Sequence, residues 1–521
     1  MKPVRAIRVI LAVLLLGIPS SGILLSAGEA ELRPFRDLLE DSGFPENDET
    51  RRLLSDAVVA PAYPAVESPF RIHRQVSDGR LVQFEIRRGV REWYLIFRNQ
   101  RGEEPRETYP LWGRGTWIIK KDLASGAYLQ AKIFLQDDEE SFVRIFPTVD
   151  GRSRLDVHLY GRQLGDDVVL PVAFEELMLS PFARIASLSD RSVDWSGIFP
   201  DPDAPGYRRV ERMVSRLYPS EESILEVADA AIDGGGTNVY IETGAVVRAG
   251  DPLSRGGTLP VGFSGLNCSG YVKWVVDGIH AAWSGHPGSG HLDLEPLREP
   301  TGRSNRNPWN ESRSATDADA RRELESLLRD PHFGLDWNRN LARIAESARL
   351  GRPLSAVETA ALDTGELLGI PYRRDMGYDL TDLDTALYQL AAARPGAVYL
   401  AAVNSRFRPE PSDDDPNPLP LHQYWHVSIL APWFDDGANG GERGRFRVVV
   451  LDVGDVSESL LRRPGFSGEP RFPAAIRANA QRYAGLGRDD QGNALVPEVS
   501  IHLSRLDVPR DFEPVPLPDA R

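Results

Sequence analysis

Cysteine is nearly absent: the chain carries one, Cys268, in 521 residues. A single cysteine excludes an internal disulfide framework and a cysteine-based structural zinc site. Cations are the minority charge, 61 Lys and Arg against 76 Asp and Glu, for a formal net charge of −15. Surfaces that hold nucleic acid or anionic lipid without specificity are usually basic, so neither is an expected partner. Long apolar runs are missing as well, apart from one near the N-terminus. There Lys2, Arg5 and Arg8 precede an apolar core from Val9 to Ile18, and Pro19, Ser20, Ser21 and Gly22 interrupt it. That core is short of the ~20 apolar residues that span a bilayer. Small residues at Ser26-Ala27-Gly28 or Gly28-Glu29-Ala30 suit a cleavage site. The expectation is an export signal over 1–28, a periplasmic or secreted mature protein, and no membrane span in the mature chain. No cysteine follows the apolar core, so lipid attachment there is excluded.

What is present describes a folded, multidomain chain. Hydrophobic residues make up 41%, close to the ~45–50% of globular proteins, and the length predicts two or three domains. Residues 29–65 mix charged helical stretches with a Pro-rich run, Ala60-Pro61-Ala62-Tyr63-Pro64, that reads as a linker. From about Phe70 to Leu170 apolar and polar residues alternate. Val82, Phe84 and Ile86 alternate with Gln83, Glu85 and Arg87; Leu155, Val157 and Leu159 do so with Asp156, His158 and Tyr160. Between them lie Trp93–Phe97, Thr116–Lys120, Tyr128–Leu135 and Phe142–Phe146. Six or more strands at this spacing predict an all-β domain over 66–195, a sandwich or barrel. It reads first as a spacer module; exposed Trp112 or Trp117 stacking on a sugar is the sharper alternative.

Pro200, Pro202 and Pro205 mark 196–208 as a linker. Beyond it, helix and strand alternate over 209–511. Helices are expected at Ser220–Ile232, Cys268–Trp283, Asp317–Leu328, Asn338–Leu350 and Leu380–Ala393, and strands at Ala397–Val403, His426–Leu430, Phe446–Val453 and Val499–Leu503. The stretch 284–325, rich in Gly, Pro, Ser, Asn and charge, is expected to be a mobile loop. The last residues, 512–521, read as a tail.

Cys268 centres the chemistry. An unpaired thiol in an oxidising compartment is a liability unless it is used. Asn267-Cys268-Ser269-Gly270 precedes Tyr271, Val272, Trp274, Val275 and Ile279, an apolar face recurring every three or four residues. That pattern puts Cys268 at a helix N-terminus, where free N–H groups and the macrodipole favour the thiolate, the nucleophilic form. The competing reading is a buried, inert cysteine.

Gly256-Gly257-Thr258-Leu259-Pro260, Gly262-Phe263 and Asn267-Cys268-Ser269-Gly270-Tyr271-Val272 together resemble the nucleophile block of the NlpC family of papain-like cell-wall cysteine peptidases. Pro395-Gly396-Ala397-Val398 is similar to that family's Pro-Gly-Asp-Leu strand entry, and Trp425-His426-Val427-Ser428-Ile429 to its His-Val-Gly-Ile strand. Asp452 is the only polar side chain in the run Val448–Val453. The resemblance implies a papain-like α+β domain over 209–511 in which Cys268 attacks an amide carbonyl, His426 carries the proton and Asp452 orients His426, with His502 the rival third member. Ser269 and Tyr240 are the oxyanion or substrate contacts that it points to, and the implied partner is a cell-wall peptide. No cofactor belongs to that chemistry. Asn267 stands where the family has Asp, Ser428 where it has Gly, and Leu253-Ser254-Arg255 where it has a Tyr before Gly-Gly. Because His426 follows Cys268 by 158 positions, a helical insertion is expected at 284–385, as a lid over the groove.

Two other functions compete. Ser284-Gly285-His286, Asp293 and His426 faintly resemble exported zinc carboxypeptidases that cut D-alanyl peptides. Gln423 stands where their catalytic Glu belongs, and a neutral amide is no general base. The other is a non-catalytic envelope-binding or scaffold protein with a degenerate peptidase domain.

Overall fold

A computed structural model of the chain describes residues 39, 41–60, 63, 71–100, 112–301, 332–407, 421–461, 469–484 and 498–518. The expected export signal, the 317–328 helix and the second half of the 284–325 loop lie outside the described residues.

The N-terminal unit is one eight-stranded antiparallel sheet: β1 (Arg71–Arg74), β2 (Leu81–Arg88), β3 (Glu92–Asn99), β4 (Trp117–Asp122), β5 (Tyr128–Phe134), β6 (Phe142–Pro147), β7 (Ser153–Leu159) and β8 (Arg162–Leu170), each paired with the next in chain order. Period-two patterning builds it. In β4, Trp117, Ile119 and Lys121 are buried while Ile118, Lys120 and Asp122 are half-exposed. Tyr160 and Gly161 join β7 to β8 with φ of 48° and 83°, the signature of a two-residue hairpin of the primed type. The expected sandwich or barrel is corrected. Among the described residues no second sheet faces this one, and β1 and β8 end it without pairing. Its apolar face is covered instead by two helices, α3 (Phe174–Leu179) and α4 (Phe182–Ser189), through Phe174, Leu177, Phe182 and Ile185. Two short helices, α1 (Asp48–Leu53) and α2 (Ser55–Val59), precede the sheet. Trp117 is fully buried with the Arg51 guanidinium 3.5 Å above its ring, so it belongs to the core and is no sugar platform; Trp112 is half-buried.

The second half mixes helices and strands around a six-stranded antiparallel sheet. Its strands are β13 (Tyr378–Asp379), β14 (Ala397–Phe407), β15 (Leu421–Phe434), β16 (Phe446–Asp452), β17 (Asp455–Ser457) and β18 (Val499–Asp507), in the order β13-β18-β14-β15-β16-β17. Helix α5 (Pro205–Glu221) packs on β15 through Tyr207, Val210, Val214 and Leu217, spaced by three and four. The expected linker at 196–208 therefore runs into a helix: Pro205 occupies the first helical turn, where its missing N–H costs nothing. The expected helix at Ser220–Ile232 is also corrected. Ser220 is near the end of α5, and three short strands follow, β9 (Ile224–Glu226), β10 (Ala230–Ile232) and β11 (Asn238–Tyr240).

Strand β12 (Ser264–Leu266) leads into α6 (Cys268–Trp283), which packs against α7 (Phe333–Leu350) and against β15 and β16. Helix α7 falls in the stretch expected as a lid. It is core instead, with Leu335, Trp337, Leu341 and Ala345 buried and contacts to β14, β15 and β18. The described part of the expected mobile loop is pinned down. Leu292 and Leu297 are buried, Leu292 N–H donates to Asp277 (3.1 Å), and Asn340 Nδ2 donates to the carbonyls of Leu297 (3.2 Å) and Glu299 (2.7 Å). The segment expected as a tail is anchored by buried Phe512 and Val515, and Trp274 Nε1 donates to Val515 O at 2.9 Å. A short helix α8 (Ala356–Ala360), then α9 (Leu383–Ala393) and α10 (Arg471–Ala484), complete the described helices. Helix α9 also faces the N-terminal sheet: Thr385 Oγ1 donates to Leu159 O (3.0 Å), and Gln136 Nε2 to Tyr388 Oη (3.4 Å). Among the described residues no helix is long and apolar enough to cross a membrane.

Candidate active site

The nucleophile's position begins with Asn267. Its backbone is extended (φ −98°, ψ −177°), its N–H donates to Ala230 O at 3.0 Å, and its Oδ1 accepts the Gly270 N–H at 2.8 Å. An asparagine in that role ends the preceding strand and starts the helix. Gly270 is required there, because a Cβ would run into the carbonyl of Ala230 on β10. Cys268 is thus the first residue of α6, and the N–H groups of Cys268 and Ser269 lie ahead of the intrahelical ladder. Trp337 of α7 fixes this turn from behind, its Nε1 donating to Ser269 O at 3.1 Å.

His426 stands on β15 at an irregularity. Val403 pairs with His426 but Asn404 pairs with Tyr424, so Trp425 is an extra residue, a β-bulge that re-aims its neighbour. Trp425 is held by Ser405 Oγ at 3.0 Å, and its ring lies 5.8 Å from the imidazole. From the adjacent strand, Asp452 Oδ2 lies 2.8 Å from His426 Nε2, with the two side chains 18% and 19% exposed. The second oxygen of Asp452 accepts the Val453 N–H at 2.8 Å. With Nε2 so engaged, Nδ1 is the imidazole nitrogen left for the thiol.

The electrostatics of the two groups agree. Burial pushes the Cys268 thiol up, but the hydrogen bond and charge of His426, helped by the Val427 N–H, outweigh it and hold the thiol below its ordinary value. Burial pulls His426 down, but the charge and hydrogen bond of Asp452, with the hydrogen bond to Cys268, lift it well above the usual imidazole range. Both shifts favour thiolate and imidazolium over the neutral pair.

Cys268, His426 and Asp452 therefore come together; other residues singled out from the sequence do not join them. Tyr240 gives its hydroxyl to Asp251 Oδ2 at 2.9 Å. His502 is fully buried in a separate cluster, where its Nε2 lies 3.5 Å from Asp363 Oδ2 and 3.4 Å from Arg339 Nη2. Ser269 contributes its backbone to the first turn while its side chain is buried. Among the described residues, no three His, Cys, Asp or Glu side chains, His286, Asp293 and His426 included, are grouped to hold a metal ion. Sequence reasoning missed Trp337 and the bulge at Trp425; neither has a local signal, since both depend on partners distant in the chain.

A family model described as a domain of unknown function (DUF8515) matches residues 40–197. The matched span runs from the first helices through the eight-stranded sheet to the Trp195–Gly197 turn and stops short of the site. Comparison of the chain with curated proteins and with solved structures gives no match.

Proposed function

We propose that the protein is an exported cysteine hydrolase that cleaves amide bonds in cell-wall peptides. The observation that carries this reading is the continuous polar chain from Cys268 at a helix start, through His426, to Asp452. A thiol that attacks an amide needs a base within reach, and that base needs a group fixing its tautomer. The Cys268 thiolate adds to the carbonyl carbon, and first-turn N–H groups stabilise the oxyanion. His426 then gives its proton to the departing amine, leaving an acyl-thioester on Cys268. Water attacks the thioester with His426 as base, which frees the acid and restores the thiol. A cysteine-bearing helix packed beside an antiparallel sheet with His and Asp on neighbouring strands supports a papain-like core. The cell-wall substrate and the periplasmic or secreted location rest on the NlpC resemblance and the expected export signal.

The test is release of soluble fragments from purified sacculi after separate treatment with iodoacetamide and EDTA. Loss with iodoacetamide alone is the expected result. Loss with EDTA alone would return the zinc reading, and inactivity of the untreated protein would favour the scaffold.

A further inference from the structure

The bulge in β15 sorts its neighbours between the two faces of the sheet. Val403 and Asn404 are successive residues of β14, so they point to opposite faces. Their partners on β15 are His426 and Tyr424. The extra residue between those two, Trp425, therefore turns them apart. Tyr424 gives its hydroxyl to the carbonyl of Asp375 and has its ring 5.7 Å from that of His332, while His426 turns to Asp452. Trp425 itself is half-buried and packs against the core of the second half. Its Nε1 donates to Ser405 Oγ at 3.0 Å, and Ser405 is almost fully buried. Ser405 lies two residues from Val403, the partner of His426, so it shares the face of the imidazole. The indole and imidazole centroids are 5.8 Å apart, with the rings tilted by 33°. In the sheet, β15 runs between β14 and β16. The tether of Trp425 is thus on one flank of His426 and Asp452 is on the other.

We propose that Trp425 is a positioning residue of the site: tied to Ser405, its indole lies against His426 from the flank opposite Asp452, holds the imidazole in the rotamer that gives Nε2 to Asp452, and favours its charged form. The proposal rests on the catalytic reading above and deepens it. An imidazole held by one hydrogen bond can still swing about it, and a fixed ring on the other flank removes that freedom. The tether matters because a buried indole N–H needs a partner. Here the partner sits on the imidazole's own face, which fixes where the ring lies. An aromatic face also attracts a cation within ~6 Å of its centre, the more strongly where water is excluded. Cys268 of α6 and Asp452 of β16 are the ionisable groups that bear most on His426. The indole adds to them an attraction that does not itself titrate.

The experiment is a pH titration of the His426 ring ¹⁵N resonances in the full chain, for the native protein, Trp425→Leu, Trp425→Phe, Ser405→Ala and Asp452→Asn, with thermal unfolding recorded alongside. Trp425→Leu should lower the pH at which His426 loses its proton by about 0.5–1. That sign separates positioning from the filling of space: a smaller side chain admits water, and water favours the charged imidazole. Loss of a mere filler would therefore raise the midpoint or leave it in place. Trp425→Phe keeps an aromatic face and should stay close to the native midpoint. Ser405→Ala unties the indole and should lower the midpoint by less than Trp425→Leu does; this variant keeps the test alive should Trp425→Leu unfold. Trp425→Leu and Ser405→Ala midpoints at or above the native one, with Asp452→Asn still stripping His426 of its proton, would overturn the inference and leave the catalytic reading standing. An Asp452→Asn curve that matches the native one would overturn both.

Discussion

Asp452 Oδ2 lies 2.8 Å from His426 Nε2, one strand away, and the charge and hydrogen bond of His426 in turn hold the Cys268 thiol below its ordinary value. Asp452 is the only polar side chain in the run Val448–Val453, and it is half-buried at the end of its strand. Asp452→Asn should lower the rate of hydrolysis by roughly 10³–10⁴-fold through the wrong tautomer, and Cys268→Ala should abolish it. Both variants should unfold within a few °C of the native protein. Sacculus digestion beside thermal unfolding measures this; retained hydrolysis in Cys268→Ala would remove the nucleophile.

Asn267 separates cap from charge. Asn267→Ala loses the 2.8 Å bond to Gly270 N–H and should cost about 1 kcal/mol in urea unfolding. Asn267→Asp keeps the cap but puts a negative charge next to Sγ, so it should keep stability and slow alkylation at neutral pH. Equal alkylation rates in the native and Asp forms would mean that Sγ does not sit at this helix start.

Lys273 and Asp277 form a wholly buried ion pair on α6, 2.8 Å apart, and Asp277 also takes the Leu292 N–H and His291 Nδ1 (3.0 Å). Asp277→Ala strands a buried ammonium and should cost about 3–5 kcal/mol, whereas an apolar replacement of both partners should be nearly neutral. Limited proteolysis should then cut between 284 and 297 in Asp277→Ala and spare that stretch in the native protein. Easy cleavage of the native loop would contradict the anchoring.

The seam between the two halves holds a buried acid, Asp138, and a half-buried one, Asp384. Asp138 is raised to about 6 by burial, and Asp384 to about 7 by burial and by Asp138, Glu140 and Asp382. Both folded values exceed the unfolded one near 3.9, so the folded state binds more protons between these limits. Their contribution is fully present below pH ~4 and is lost as pH rises through about 6 to 7. Asp384→Asn should stabilise the protein more at pH 8 than at pH 5. A variant whose stability gain is the same at both would contradict the proton-dependent seam.

How much was legible depended on how local each cause is. The helix from Cys268 to Trp283 and the cores of β2–β7 and β14–β16 follow from apolar spacing within one element. The start of α5 at Pro205 was hidden by three prolines that look like a linker. Helix α7 has helical spacing in the sequence, but only the folded sheet makes it core instead of lid. At the site, Cys268 and His426 sit in recognisable blocks, and Asp452 stands out by its isolation.

The most direct test of the central claim is the rate of iodoacetamide labelling of Cys268 against pH, in the native protein, His426→Ala and Asp452→Ala. A free thiol titrates near pH ~8.5, and one at a helix start beside an imidazolium falls to about 3.5–7.5. The native protein should label fast well below pH 8. His426→Ala should lose that low-pH reactivity, and Asp452→Ala should lose part of it. A native curve with the midpoint of an ordinary thiol, unchanged by His426→Ala, would show that the two side chains do not share a proton and would contradict the catalytic account.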